Sequence, residues 1–479
     1  MLIQGFVVVH ALAVIVFSTR ILLRDDLSSA ARLAWFMVML FVPYAGVLVY
    51  LLFGEISLGR TVHRRHDQIF SKLRLLAGAA MGSCDKNLAG NVETEYQTAF
   101  RAASVDGFGT TVGNRAELLP DAATARSRLV EDIDNATESV QCLYYIWLDD
   151  NTGRNVANAL VRAAKRDVAV HAMVDGLGSR KFVRSKYWRE MRDAGVKLSV
   201  ALPMKWVVDT ILFSRLDLRN HRKITVIDSC ITWCGSQNCA DPEFRVKAKY
   251  APWVDIMLRL EGPVVAQNQL LFTSDWLLNS GEEIPESIEM KAKEFEGGFP
   301  AQLFADGPTD RRGATPQLFA TLLALARKEV VISTPYFVPN PTVLDAICAA
   351  AIRGVDVMMI FPKRNDSWIV AAASHGYYRQ LLEHSVKIFE FRDGLLHSKT
   401  FTIDRALSLI GTTNLDLRSF DLNYENDILL RDDEMTQLIY DRQQQYITQS
   451  DSVTLDDVRA WSYSRRIWNN VIATVGPIL

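Results

Sequence analysis

Cysteine and excess charge are both scarce in this chain. Six cysteines among 479 residues are too few for a disulfide-built fold. The only cluster, Cys230, Cys234 and Cys239, has no histidine or cysteine at zinc-finger spacing, so we interpret these residues as buried thiols. Lys and Arg number 53 against 55 Asp and Glu, and this balance disfavours a dedicated nucleic-acid-binding protein. The length predicts at least two domains, because one hydrophobic core rarely serves so many residues.

Apolar residues are abundant near the N-terminus. Residues 2–19 carry no formal charge, and residues 33–53 form a second uncharged run. Because about 20 apolar residues cross a bilayer, we predict a hairpin of two transmembrane helices, at about 2–23 and 33–53, within a membrane segment 1–56. Pro43 would kink the second helix, which membrane helices tolerate. A cleaved signal peptide and, for the second run, a buried core helix are the alternatives.

The charges around this hairpin predict its orientation. Five basic residues lie between positions 60 and 74, whereas the turn at 20–32 carries three arginines beside two aspartates. The positive-inside rule then puts the larger part of the chain in the cytoplasm. We predict a basic juxtamembrane linker at 57–115. Its first part, 57–76, is either an interfacial helix or a solvated linker helix.

The remaining sequence contains a duplicated α/β pattern. A strand at 140–147, a helix at 156–167 and a strand at 168–175 form one βαβ unit. A second unit follows at 330–337, 343–353 and 355–361. We therefore predict two related α/β halves, 116–295 and 296–479.

A polar motif repeats at an offset of 176 residues, near the end of each half. His221, Lys223, Asp228, Gly235 and Asn238 match His397, Lys399, Asp404, Gly411 and Asn414. Five special residues in register are a much stronger signal than one isolated histidine. The other six histidines lack the repeat, and we interpret them as structural.

The spacing of the motif predicts its chemistry. His and Lys two residues apart on a strand face the same side. If the halves pair about a pseudo-twofold axis, two His, two Lys and two Asn converge on one pocket for a tetrahedral phosphate. Two histidines supply a nucleophile and a general acid, while the two lysines repel a cation, so we expect no metal and no cofactor. Asp228 and Asp404 face the opposite side, and we expect them to make structural hydrogen bonds at the strand ends.

Each histidine needs a partner on its second ring nitrogen. Glu425 follows His397 by 28 residues on a predicted adjacent strand, and Asp255 occupies the comparable place after His221. We expect these two carboxylates to orient the imidazoles.

The doubled H-x-K-x4-D pattern with G-[ST]-x-N resembles the signature of the phospholipase D superfamily over about residues 116–479. With the hairpin included, the chain is similar to the bacterial cardiolipin synthase family. The segments that carry this closer similarity are Tyr145–Trp147, Asn220–Lys223, Gly235–Asn238 with Asp241 and Pro242, Thr334–Pro339, Gly411–Ser419 and Asn423–Glu425. Thr412 stands where serine is common. The resemblance implies two phospholipase D-like α/β halves packed about a pseudo-twofold axis.

The resemblance also implies a reaction. Two phosphatidylglycerol molecules would give cardiolipin and glycerol by reversible phosphatidyl transfer at a bacterial inner membrane, with no nucleic acid involved. His221 would attack phosphorus and form a phosphohistidine, and His397 would act as general acid and then as general base. Lys223, Lys399, Asn238 and Asn414 would hold the phosphoryl oxygens. No oligomer is required, because two halves of one chain complete the site.

Three alternatives remain open. A membrane-bound phospholipase D would use the same site with water as acceptor and release phosphatidate. A nuclease is disfavoured by the net charge, and a scaffold by the two intact motifs. The apolar residues at 206–213 are either ordinary core or contacts for acyl chains, with Lys205, Arg215 and Arg219 beside them for head groups.

Overall fold

The computed structural model describes most of the chain. The described residues are 2–24, 27, 29–42, 44–54, 60–77, 93, 95–104, 107–203, 217–282 and 293–475.

Helices and strands alternate through the larger part of the chain. The α-helices are α1 Leu2–Leu22, α2 Ser29–Phe41, α3 Ala45–Phe53, α4 Arg60–Ala77, α5 Gln97–Ala103, α6 Ala122–Asp134, α7 Asn151–Ala164, α8 Lys186–Asp193, α9 Val264–Ser280, α10 Ala314–Leu325, α11 Pro341–Ile352, α12 Trp368–Glu383, α13 Leu417–Asp421, α14 Asp433–Thr448, α15 Leu455–Arg459 and α16 Tyr463–Val475. The strands are β1 Thr111–Leu118, β2 Ser139–Tyr144, β3 Ala169–Asp175, β4 Lys197–Ala201, β5 Arg219–Asn220, β6 Lys223–Ile227, β7 Ile231–Gly235, β8 Trp253–Val254, β9 Met257–Glu261, β10 Phe299–Asp306, β11 Glu329–Ser333, β12 Phe337–Val338, β13 Asp356–Pro362, β14 Lys387–Phe391, β15 Leu395–Leu396, β16 Thr400–Ile403, β17 Leu407–Gly411, β18 Leu415–Asp416, β19 Asn423–Arg431 and β20 Ser450–Val453.

The N-terminal helices differ from the predicted hairpin. Among the described residues, one helix, Gln4–Leu22, is long and apolar enough to cross a membrane. The second apolar run is divided into α2 and α3, and Tyr44 between them has a φ of 60°. The helical path is thus interrupted next to the predicted kink, while the Val42 and Gly46 N–H groups still donate to the carbonyls four residues earlier. The second transmembrane helix of the hairpin stays a prediction. Pro43 itself lies outside the described residues.

One large mixed sheet runs through both halves and confirms the predicted α/β fold. Its order is β20-β14-β13-β11-β16-β17-β19-β10-β1-β9-β7-β6-β2-β3-β4. β1 and β10, the first strands of the two halves, pair antiparallel at the centre. Reading outward from this pair, the elements of one half match those of the other in order: β9 with β19, β7 with β17, β6 with β16 and β2 with β11. This correspondence is a pseudo-twofold arrangement, and helices cover both faces of the sheet.

The linker predicted at 57–115 contains helices that pack on this body. Leu73 of α4 is buried, and Phe70 meets Phe108 edge-on with ring centroids 5.6 Å apart. Part of the apolar face of α4 therefore packs on protein, whereas Leu75 of the same helix is 86% exposed. The interfacial and solvated alternatives for this segment stay predictions. The thiols also differ in part from expectation: Cys234 and Cys239 are buried, but Cys230 lies exposed after the turn that ends β6.

Candidate active site

Each repeated histidine lies just before a central strand and is held by the other half. Two short parallel pairs, β5 with β19 and β15 with β8, cross the boundary between the halves. Through them the His221 N–H donates to the Tyr424 carbonyl at 2.9 Å, and the His397 N–H donates to the Val254 carbonyl at 2.8 Å. The backbone therefore fixes each histidine against the strand that carries the opposite half's carboxylate.

The two imidazoles pair with carboxylates across the boundary. His221 Nδ1 lies 2.7 Å from Glu425 Oε2, and His397 Nδ1 lies 2.6 Å from Asp255 Oδ1. The residues proposed as orienting partners are thus in place, but each orients the histidine of the other half rather than the one that precedes it in sequence. With Nδ1 engaged, Nε2 is the ring nitrogen left for chemistry on both histidines.

The motif lysines lie beside their histidines, although His221, His397 and Lys399 precede the strands rather than belonging to them, so the predicted strand placement is wrong for these three residues. Lys223 Nζ donates to the His221 carbonyl at 2.7 Å, and Lys399 Nζ donates to the His397 carbonyl at 2.6 Å. Both ammonium groups are buried. Their positive charges therefore face the same cluster of imidazoles and carboxylates with little screening by water.

A cavity of about 430 Å³ joins the two halves of the motif. Its lining includes His221, His397, Asn238 and Asn414. Asn238 Oδ1 accepts from the Ile146 N–H at 3.3 Å, so its amide N–H₂ remains as a donor. Asn414 is buried, and its Oδ1 has no hydrogen-bond partner among the described residues. The structure thus brings two of the predicted imidazoles and two of the predicted amides into one cavity, whereas Lys223 and Lys399 lie outside its lining.

Burial dominates the protonation of this cluster. Desolvation lowers the pKa of His221 well below its usual range and lowers the pKa of His397 to about 4, with the lysine charges acting in the same direction. Burial also lowers the pKa of Lys223 to about 8 and that of Lys399 to about 7. At neutral pH both imidazoles are therefore neutral, as a nucleophile must be.

The two orienting carboxylates differ in proton affinity. Burial raises the pKa of Glu425 to about 6. Burial would also raise the pKa of Asp255, but His397 and Lys399 outweigh it and lower that pKa to about 2. The two motif histidines are therefore related by the pseudo-twofold axis, but the carboxylates that pair with them differ in pKa.

The aspartates of the motif lie outside the cavity. Asp228 accepts hydrogen bonds from the backbone N–H groups of Thr137, Glu138 and Ser139 at 2.8 Å each. Asp404 repeats this arrangement in the second half, where it accepts from the N–H groups of Arg327, Lys328 and Glu329 at 2.7–2.9 Å. These contacts agree with the expected structural role.

The residues at the rim of the cavity differ between the two halves, although the motif residues inside it are related by the pseudo-twofold axis. Arg180 and Lys181, from the loop after β3, form a basic edge. Asp366, from the equivalent loop after β13, forms an acidic edge, where it accepts from Tyr336 Oη at 2.7 Å and pairs with Lys247. The rim residues Arg180, Lys181, Asp366 and Lys247 lie outside the repeated motif. The rule that sites form at the carboxyl ends of parallel strands points to both loops.

Other predicted features lie elsewhere. Residues 205–215, with the expected acyl-chain and head-group contacts, lie outside the described residues, whereas Arg219 is buried in β5. His171 is a buried structural histidine, since burial lowers its pKa to about 4 and it meets the Trp276 ring edge-on. Among the residues that the structure describes, no three His, Cys, Asp or Glu side chains form a group able to hold a metal ion.

Comparison with known proteins agrees with this geometry. A family model described as "Cardiolipin synthase, PLD-like domain" matches residues 129–275 and 319–446, and one described as "Phospholipase_D-nuclease N-terminal" matches residues 11–55. The chain is 34% identical to cardiolipin synthase A of Proteus mirabilis, over 94% of this chain and 93% of that protein. It is 36% identical to cardiolipin synthase A of Edwardsiella ictaluri, over 95% and 93%.

A solved structure shares the fold. The phosphatidylserine synthase of Haemophilus influenzae matches 76% of this chain and 95% of its own with a TM-score of 0.59, at 16% identity. That likeness concerns the fold alone. The apolar N-terminal helix and the relatives together indicate association with a membrane. The duplicated histidine–lysine site, the family match and the length of the shared sequence show that the chain belongs to the phospholipase D-type cardiolipin synthases, a family of phosphatidyltransferases.

Proposed function

We propose that this chain joins two phosphatidylglycerol molecules into cardiolipin and glycerol. The observation that carries the proposal is the pair of crossed dyads, His221 with Glu425 and His397 with Asp255. The two histidines line one cavity, and a buried lysine contacts the backbone of each. Two imidazoles with free Nε2 atoms suit a two-step exchange at phosphorus, in which one attacks and the other moves the proton.

In the first step, His221 Nε2 attacks phosphorus and the bond from phosphorus to the glycerol oxygen breaks. His397 Nε2–H gives its proton to that oxygen, and glycerol leaves. His397 must be protonated for this step, although burial lowers its pKa to about 4. The bound anionic phosphodiester raises the pKa of His397 again, because a negative charge next to an imidazole favours its protonated form.

In the second step, the head-group hydroxyl of another phosphatidylglycerol attacks the phosphohistidine. His397 takes the hydroxyl proton, the bond between phosphorus and His221 breaks, and cardiolipin forms. Lys223 and Lys399, with the amides of Asn238 and Asn414, stabilise the negative charge of both transition states. Glycerol can attack in place of the lipid, so the transfer is reversible.

The membrane arrangement belongs to the same proposal. We propose that α1 crosses the inner membrane, that α2 and α3 complete a hairpin, and that residues 116–295 and 296–479 form the two catalytic halves in the cytoplasm. The basic residues at 60–74 support this side. Protease protection in intact spheroplasts checks it, because cleavage of the catalytic halves from outside would contradict the orientation.

The chemical test uses purified full-length chain in mixed micelles with labelled phosphatidylglycerol and a chelator. Cardiolipin and glycerol should appear in equal amounts. Phosphatidate without cardiolipin would replace the transferase proposal with a hydrolase. His221→Ala should abolish turnover, whereas His384→Gln, at a histidine bound to the Gln380 carbonyl of its own helix, should leave it unchanged.

A further inference from the structure

The C-terminal helix α16 turns its apolar stripe away from the protein. Tyr463, Ile467, Trp468 and Val471 are 81%, 64%, 49% and 51% exposed. The inner face carries Ile472, which is buried in an apolar cluster with Val338, Ala372 and Ala373, and Asn469, which is buried and whose Nδ2 has no hydrogen-bond partner among the described residues. A helix of a globular protein normally buries its apolar stripe and exposes its polar face. This helix buries Ile472 but leaves four other apolar residues exposed, and the exposed stripe is therefore a candidate contact surface.

This apolar surface continues to the mouth of the active-site cavity. The Trp468 ring stacks on that of Trp368, with centroids 5.8 Å apart. Trp368 is 60% exposed and begins α12, two residues after the rim residue Asp366. Val246, which lines the cavity, is 58% exposed. We name the exposed set Val246, Trp368, Tyr463, Ile467, Trp468 and Val471 the mouth patch.

Positive charge accompanies the mouth patch. Arg465 and Arg466 lie on α16 between its apolar positions, and Arg180 and Lys181 form the basic edge of the cavity. Asp366, the acidic rim residue two positions before Trp368 in sequence, is paired with Lys247. Tryptophan and tyrosine prefer the interface between lipid and water, and basic residues beside them are attracted to anionic head groups. Contiguous apolar patches with a charged border mark interaction sites on soluble surfaces.

The membrane helices enter the catalytic body at the same edge. Arg65 of α4 lies 3.5 Å from the Leu277 carbonyl of α9, through Nη2. Two residues before Leu277, Asp275 accepts a hydrogen bond from Asn220, the neighbour of His221. Five residues, 55–59, lie between Gly54, at the end of α3, and Arg60, the start of α4, and the six Cα–Cα steps of an extended chain span at most about 22 Å. The bilayer is therefore close to the edge at which the cavity opens.

We infer that the mouth patch docks on the surface of an anionic bilayer, so that the cavity opens onto the head groups. The inference rests on the proposed function for the lipid nature of the substrate. A second copy of the chain fits less well, because the membrane helices already bring a bilayer to this edge. Docking explains how a phosphodiester reaches the buried histidines while its acyl chains stay in lipid: the apolar mouth patch replaces water at the point of entry.

The first test measures depth and does not depend on turnover. A spin label is placed at Ile467→Cys in a Cys84→Ser, Cys230→Ser chain and reconstituted in vesicles of phosphatidylglycerol and phosphatidylcholine. Its matched control is Ile352→Cys, since Ile352 is 69% exposed at the end of α11, on the opposite edge from the cavity. Power saturation should show that the label at 467 is accessible to oxygen and shielded from a nickel chelate. The label at 352 should be accessible to the nickel chelate and less accessible to oxygen.

Equal nickel access at both positions would overturn the inference. So would shielding at 467 that persists in detergent and grows with protein concentration, because a second copy would then cover the patch.

The second test measures turnover. Ile467→Ser with Trp468→Ser should lower turnover on vesicles by about tenfold but leave turnover of short-chain phosphatidylglycerol in micelles within about twofold. Ile352→Ser should change neither. An equal loss in both assays would contradict docking, and a water-accessible label with normal cardiolipin synthesis would overturn docking while leaving the proposed function intact.

Discussion

His221 Nδ1 lies 2.7 Å from the carboxylate of Glu425, a residue 204 positions later in the other half of the molecule. The reciprocal contact, His397 with Asp255, spans 142 positions in the opposite direction. Each motif histidine therefore takes its carboxylate from the other half. The two crossed pairs form only when the halves pack together.

Glu425→Gln should lower kcat by about 10²- to 10⁴-fold, because an amide no longer fixes the imidazole tautomer and orientation as a carboxylate does. Glu425→Asp should recover part of the loss. Steady-state cardiolipin formation measures both. Because Glu425 acts through His221, the yield of phosphohistidine should fall with it. A Glu425→Gln chain with normal kcat would remove the residue from the mechanism.

The pH dependence of kcat/KM should be bell-shaped with an optimum between about 6 and 7. Burial raises the pKa of Glu425 to about 6, so its anion is lost as pH falls through that value. Burial lowers the pKa of Lys399 to about 7, so its positive charge is lost as pH rises through that value. Initial rates at low substrate between pH 5 and 9 measure both limbs.

Lys399→Arg tests the alkaline limb directly. The limb should move upward, because a guanidinium keeps its charge throughout this range. Bound phosphodiester should also raise the lysine pKa, so the alkaline limb of kcat should lie above that of kcat/KM. An unmoved limb in the arginine chain would assign it to another group.

His397→Ala should block turnover of phosphatidylglycerol but still react once with phosphatidyl-p-nitrophenol. That leaving group departs without a proton, so His221 can attack while the absent His397 prevents the second step. A burst of p-nitrophenol equal to the enzyme concentration, with an acid-labile phosphoprotein, is the expected result. His221→Ala is the control and should give no burst. A burst from His221→Ala and none from His397→Ala would exchange the two roles.

Asp228→Ala should lower the stability of the fold and leave the reaction rate of the folded enzyme nearly unchanged. The carboxylate accepts from three backbone N–H groups and from the Thr137 hydroxyl, and losing hydrogen bonds to a charged acceptor costs roughly 1.5–3 kcal/mol. Thermal unfolding in detergent should show the loss, while kcat per folded enzyme stays within about twofold. Asp149→Ala removes an exposed ion pair with Arg154 and should barely change the melting temperature. A large loss of kcat at Asp228→Ala, with unchanged melting, would make this residue catalytic.

The sequence by itself determined the α/β class, the duplication and the candidate residues of the site. The spacing of two residues predicts that His221 and Lys223 lie side by side, and the repeat at 176 residues identifies His397 and Lys399 as their counterparts. The spacing between His221 and Asp228 likewise predicts that these two side chains face opposite sides. The spacing of residues within each motif was sufficient for these predictions, because the residues concerned are only a few positions apart along the chain.

Only the tertiary structure decided which carboxylate holds which histidine. Sequence order associates Glu425 with His397, but the parallel pair of β5 with β19 brings Glu425 to His221 instead. The second apolar run likewise carries the composition of one span, yet the left-handed Tyr44 divides it into α2 and α3. The outward apolar stripe of α16 is invisible to composition as well, because the face that a helix buries depends on its neighbours. The pairs between the halves join residues that are far apart in sequence. They depend on how the two halves pack against each other, and no local sequence pattern specifies that packing.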